Sequence, residues 1–209
     1  MFDRKELKEN AKARLSGNWG MAVVCALIFT AITGAISGIG SIPLIGFAAI
    51  IILMPPLMVG LKITFLNFVK FSDQPQISSL FLGFNNLSRS LGTVLWMQLW
   101  TWLWSLLFII PGIIKYLAYS QTIYILADNP NVRPTEALKI SMRMTDGYKA
   151  DIFVMYLSFI GWAIVAAFTF GVGYLWLTPY METSFANLYL KLKNDSIQRG
   201  ICQASEFGV

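Results

Sequence analysis

Three charged side chains stand inside long, otherwise uncharged apolar runs: Lys62, Lys115 and Glu182. An ionisable group in such a run is costly to hold, so it marks an ion pair or a route for a proton, an ion or a lipid headgroup. Lys62 lies eight residues before Lys70, and Glu182 lies eight after Tyr174 and nine before Lys191. If their two segments are neighbours, the charges share one depth, and Asn67 and Asn187 recur five residues further along each. Two readings follow. One is a polar track; the other is a neutralising salt bridge with amide hydrogen bonds between helices. Lys115, four residues after Pro111, is expected to snorkel to the outer interface.

Other reactive chemistry is scarce. The chain has no histidine, which removes Ser-His-Asp, Cys-His and His-metal sites. Cys25 and Cys202 have neither a disulfide framework nor a metal-ligand spacing. No phosphate-binding glycine loop occurs, and no carboxylate pair has acid–base spacing. The expectation is no enzyme and no cofactor. Trp96, Trp100 and Trp104 recur at i, i+4 and i+8, as a lipid-facing surface or as bundle packing. Ala22, Ala26, Thr30, Gly34 and Gly38 recur every four residues, and Gly34 and Gly38 would let another helix approach closely.

The elements that must position these residues are set by composition. The chain is 56% hydrophobic and 13% charged, where a soluble domain carries about 25% charged residues. No charge occurs between Arg14 and Lys62, between Arg89 and Lys115, or between Asp151 and Glu182. A bilayer core needs roughly 20 apolar residues per helix, so the first run is long enough for two spans and each of the others for one. The expected fold is an all-α, polytopic membrane helical bundle of six spans: about 19–38, 44–69, 92–110, 112–127, 152–170 and 174–190. Pro55-Pro56 should kink or split the second span, and Pro179 should kink the sixth. The N-terminus mixes acids with bases and runs into a second span, so no signal-peptide cleavage is expected.

Three amphipathic segments accompany the spans. Residues 3–16 carry a thin apolar stripe of Leu7, Ala11 and Leu15; residues 77–91 form the clearest amphipathic helix, expected to lie in the membrane interface; a third follows Pro134. In the last, Ala137, Ile140, Ser141 and Met144 share one face, opposite Glu136, Lys139, Arg143 and Asp146. The stretch 111–148 joins a short apolar helix, a stop at Asp128-Asn129-Pro130, and this surface helix. Surface helix, span, tight turn, span and charged stop recur as a threefold pattern over 1–73, 76–130 and 133–195. Residues 1–193 form one membrane domain, and 194–209 a polar, mobile cytoplasmic tail. Of 16 Lys and Arg, all but Lys62 and Lys115 lie in the termini, surface helices and long connections, while the turns at 38–43 and 171–173 carry none. The excess of positive charge puts both termini and the three amphipathic helices in the cytoplasm. The net charge of +5 is thereby a topology signal and not one for nucleic acid.

The run PGIIKYLAYSQTIYILADNP, with EALKISMRMTDGYK, LSFIGW, TFGVGYLWLTPY and the opening ELKENAKARLSGNW, resembles the bacterial integral-membrane proteins of domain of unknown function family 975 (DUF975). That resemblance implies a multi-pass cytoplasmic-membrane protein without an assigned activity, and it brings no catalytic residues with it. A carotenoid-oxygenase label borne by some relatives does not suit a chain without histidine iron ligands. A looser similarity in layout to the membrane domain fused to some glycerophosphodiesterases points to envelope lipids by analogy. Two functions are carried forward. The first is a non-enzymatic protein acting on the cell envelope through the anionic lipids of the cytoplasmic leaflet, a membrane-protein partner or a second copy of itself. The alternative is a small transporter or channel using the level of Lys62 and Glu182.

Overall fold

The computed structural model describes residues 2–40, 42, 45–71 and 74–207, and within them every regular element is helical. In chain order they are α1 (Arg4–Leu15), α2 (Trp19–Ile39), α3 (Ile45–Phe71), a 3-10 helix (Ile77–Phe84), α4 (Leu87–Leu107), α5 (Ile109–Tyr119), α6 (Thr122–Asp128), α7 (Pro134–Met144), α8 (Lys149–Phe168) and α9 (Tyr174–Gln198). A 3-10 turn, Ala204–Phe207, follows. The expected turn at Ser41 and Pro43 and the stop at Asp73 lie outside the described residues.

Four segments are long and apolar enough to cross a membrane: Trp19–Ile39, Gly46–Phe71, Ile109–Asp128 and Lys149–Phe168. α4 and α9 fall short of that apolarity. α9 carries Glu182, Lys191, Lys193 and Asp195, and much of α4's bulk is tryptophan, whose indole is amphipathic.

Apolar exposure divides the molecule. Large apolar side chains are open on α2, the first half of α3, α4, α5, α8 and the start of α9, among them Phe47, Trp102, Leu106, Ile109, Trp162 and Trp176. The second half of α3, α6 and the second half of α9 bury theirs: Phe65, Phe68, Ile125, Leu126, Leu188 and Tyr189 are all within 2% of full burial. Burial of such side chains is worth roughly 1.5–3 kcal/mol each, so the centre of cohesion lies at this end.

Local details depart from the sequence reading in four places. First, α3 is not split at Pro55-Pro56 but runs through both. The 3-10 helix lies against this stretch so closely that a Cβ on Gly60 would stand 1.8 Å from Leu80 O, and one on Gly83 2.0 Å from Pro56 O. Second, the expected amphipathic helix over 77–91 divides at Asn85-Asn86: the Asn86 side chain accepts a hydrogen bond from Arg89 N at 3.3 Å and starts α4 there. Third, the helix expected over 112–127 is interrupted between Tyr119 and Thr122. The Ala118 carbonyl there accepts from the hydroxyls of Ser141 (2.7 Å) and Thr145 (3.3 Å) on α7 instead of from the chain four residues on. Fourth, the segment after residue 193 is not a mobile tail. α9 continues to Gln198, and Cys202 and Phe207 are buried, because the segment turns back onto α7.

The apolar faces of α1 and α7 also point inward. Leu7, Ala11 and Leu15, and Ala137, Ile140, Ser141 and Met144, are buried by the protein and not left to rest in an interface. α1 lies along α8 and α9, with Glu6 paired to Lys191 (3.0 Å), Lys8 at Ser158 and Lys12 over the Tyr180 ring. The α1–α2 and α7–α8 junctions turn on Gly17 and Gly147, at φ +86° and +82°, a conformation glycine adopts without a Cβ penalty.

Candidate functional site

α3, α6 and α9 meet around two charged levels. At the first, Lys62 Nζ donates to both oxygens of Glu182, at 2.8 and 2.7 Å. The Tyr124 hydroxyl donates to Oε2 of the same carboxylate at 3.0 Å, and the Lys62 ammonium stands 4.9 Å from the Tyr124 ring centroid. The side chains of Lys62 and Glu182 retain 19% and 14% exposure. The ammonium thus has a counter-charge and a ring face, and the carboxylate accepts from two different donors.

At the second level Asp128, its side chain 1% exposed, accepts from three groups. Lys193 reaches Oδ2 at 2.6 Å, Tyr189 reaches it at 2.8 Å, and Lys70 binds Oδ1. Two ammonium groups against one carboxylate leave this level with a net positive charge. Asp128 marks only a helix stop in the sequence; its role as a buried anion depends on Lys70 and Lys193, which lie 58 and 65 residues away.

The levels are joined by tyrosines. Tyr124 and Tyr189 stack with centroids 5.7 Å apart and planes 16° inclined, and each hydroxyl is committed to a different acid. Stacked rings pass no proton, so the two levels touch without forming one hydrogen-bonded wire. Lys62, Glu182 and Asp128 border neither the clefts along α1 nor the one between α7 and the C-terminal segment.

The other singled-out residues scatter. Asn67 and Asn187 make no hydrogen bond with each other; Asn67 borders a cavity of about 90 Å³ with Thr64, Gln74 and Ser79, and Asn187 Nδ2 is buried without a partner in the protein. Among the described residues, Gly34 and Gly38 have open space where a Cβ would stand; a close approach occurs at Gly60 and Gly83. Trp96 and Trp100 make an edge-to-face pair at 5.9 Å and remain about two-fifths exposed. Trp104 takes another role: the Lys115 ammonium sits 5.0 Å from its ring, 6.0 Å from the Tyr119 ring and 3.9 Å from Met142 Sδ. The Lys115 ammonium therefore lies among the Trp104 ring near the α4–α5 turn, the Tyr119 ring and Met142 of α7.

Arg89 was not legible as more than a polar-face charge. Its guanidinium donates to the carbonyls of Val132 (2.8 Å), Leu126 (2.9 Å) and Asn129, closing the end of α6. Outside the apolar segments, the carboxyl of Glu206 is pushed up by burial but held below the ordinary value by the hydrogen bond from Arg143, the Gln203 N–H and the Arg143 charge. Among the described residues no three His, Cys, Asp or Glu side chains are grouped as metal ligands would be. The arrangement ties three helices together through two carboxylates, three lysines and two tyrosines.

The family described as "Protein of unknown function (DUF975)" matches residues 1–117 and 108–196, nearly the whole length, and the chain belongs to that family. No curated protein and no solved structure matches it.

Proposed function

We propose that this DUF975 member is a six-pass protein of a bacterial cytoplasmic membrane that carries out no reaction itself and acts on the envelope by holding anionic lipid, alone or with a partner protein. The carrying observation is the closed Lys62–Glu182–Tyr124 centre. Lys62, Glu182 and Tyr124 pair with one another across three helices, which suits a lock between helices. Six passes are supported by the exposed apolar side chains on α4 and at the start of α9, which add to the four longer apolar segments. Cytoplasmic termini are supported by the clustering of Lys and Arg in α1, α7, the connections and the C-terminal segment. The matching glycine turns at Gly17 and Gly147 favour a repeated unit of surface helix and hairpin.

The test is native mass spectrometry of protein released from nanodiscs of mixed phosphatidylethanolamine and phosphatidylglycerol. Retention of phosphatidylglycerol above its bulk share is the expected result. Release of protein bare, or with lipid in bulk proportion, overturns the reading.

A transporter or channel is the second reading. It is favoured by buried polar atoms without a partner among the described residues: Thr93 Oγ1, Gln121 Oε1, Thr122 Oγ1, Thr183 Oγ1 and Asn187 Nδ2. Ion or proton flux in proteoliposomes, abolished by Glu182→Gln, would establish it.

A further inference from the structure

The side of α1 that faces α8 and α9 carries two unlike clefts. The first, about 640 Å³, is bordered by Arg4, Lys5, Lys8 and Ser158, with Asp3 its one acid. The second, about 320 Å³, is bordered by Trp19, Trp162, Val165, Trp176 and Tyr180, with Lys12 as its only charge. Lys8 and Lys12 lie one turn apart on α1, so each cleft has one of them at its edge.

The cations here are not equally satisfied. Arg4 faces Asp151 at 3.9 Å, Lys5 faces Glu9 at 3.8 Å, and Asp3 is occupied with the N–H groups of Lys5 and Glu6. Among the described residues, Lys8 and Lys12 meet no carboxylate. Lys8 donates to the Ser158 carbonyl at 3.4 Å and stands 4.1 Å from the Phe159 ring; Lys12 stands 5.6 Å from the Tyr180 ring. Burial, then the charges of Lys12 and Arg4, pull the Lys8 ammonium below its ordinary value. Ser158 and Phe159 are midway along α8, and Trp162 and Val165 continue that helix into its exposed apolar part. Unanswered positive charge beside an apolar, aromatic groove is complementary to one kind of molecule, an anionic amphiphile.

We propose that this side of α1 is a binding site for one anionic phospholipid, its phosphate between Lys8 and Lys12 and an acyl chain along Trp162, Val165 and Trp176. The proposal rests on the lipid-holding reading above and gives it an address. Phosphate between two ammonium groups neutralises a pair that otherwise repel, and the chain covers tryptophan faces that the protein leaves open.

The full-length protein is reconstituted into phosphatidylcholine vesicles containing an equal small share of brominated-chain phosphatidylglycerol or brominated-chain phosphatidylcholine. Bromine quenches tryptophan on contact. Wild type is expected to be quenched more by the phosphatidylglycerol. The Lys8→Gln/Lys12→Gln double variant loses that excess, and Val165→Trp, which fills the groove and keeps both lysines, loses it too. Lys139→Gln, on the exposed face of α7, keeps it. An excess that persists in the double variant overturns this site; if phosphatidylglycerol is still retained in nanodiscs, the lipid-holding reading stands and the site lies elsewhere. Removal of the excess by inorganic phosphate alone overturns the phospholipid as occupant.

Discussion

Tyr124 and Tyr189 lie face to face, 5.7 Å between ring centroids, and donate their hydroxyls to two different buried acids, Glu182 and Asp128. α6 and α9 are thereby fastened at two heights by one stack, and α3 joins each height with a lysine, Lys62 and Lys70.

Asp128 carries the larger share of this fastening, because its side chain is the more deeply buried and pairs with two lysines. Asp128→Asn leaves Lys70 and Lys193 facing each other without a counter-charge, and a loss of about 3–5 kcal/mol is expected. Tyr189→Phe removes one hydrogen bond to a charged acceptor, a loss of about 1.5–3 kcal/mol. Thermal unfolding in detergent checks both, and the order Asp128→Asn below Tyr189→Phe is the prediction.

Gly60 and Gly83 are expected to be intolerant of a methyl group where Gly34 and Gly38 are not. A Cβ at either of the first two meets backbone at 2.0 Å or less, whereas among the described residues a Cβ at either of the second two would stand in open space. Gly60→Ala and Gly83→Ala should lower the melting temperature sharply. Gly34→Ala and Gly38→Ala should hold or raise it, since alanine is the better helix former by about 1 kcal/mol. Equal effects at all four would contradict the close packing of the 3-10 helix on α3.

The returning C-terminal segment should detach in acid. Glu206 has a folded-state pKa below its unfolded value of 4.5, so its contribution is present above pH 4.5 and is lost as the pH falls through the folded value. Protection against hydrogen exchange across residues 201–207, taken relative to the intrinsic rate at each pH, should therefore be high at pH 6 and fall as the pH drops below 4.5. Glu206→Gln should bring faster exchange at pH 6, because Arg143 loses its carboxylate partner.

Local chemistry made much of this architecture readable. The helical character, the inner face of α7 and the level of Lys62 and Glu182 all follow from spacing at 3.6 residues per turn and from where charge is absent. The juxtaposition of Lys62 and Glu182 could be posed from sequence because both stand out against apolar surroundings. Asp128, Lys70 and Lys193 could not, since each sits at a helix end where charge is ordinary and only the tertiary fold buries it. Arg89 was hidden for the same reason. Gly60 and Gly83 lacked the four-residue spacing that drew attention to Gly34 and Gly38; their close approach is between α3 and a 3-10 helix and not between two long helices. The C-terminal segment looked mobile because its composition is polar, but Phe207 is buried and Glu206 meets Arg143.

The account depends most on the charged centre being a closed lock between α3, α6 and α9. A double-mutant cycle of Lys62→Met and Glu182→Gln, read by thermal stability in detergent, tests this directly. Each single change strands a charge or a hydrogen-bonding group and should cost about 2–4 kcal/mol, somewhat under the full penalty for a buried pair because both side chains keep some exposure. The double variant should recover part of that loss. Strictly additive losses would contradict the lock, and so would single variants as stable as wild type.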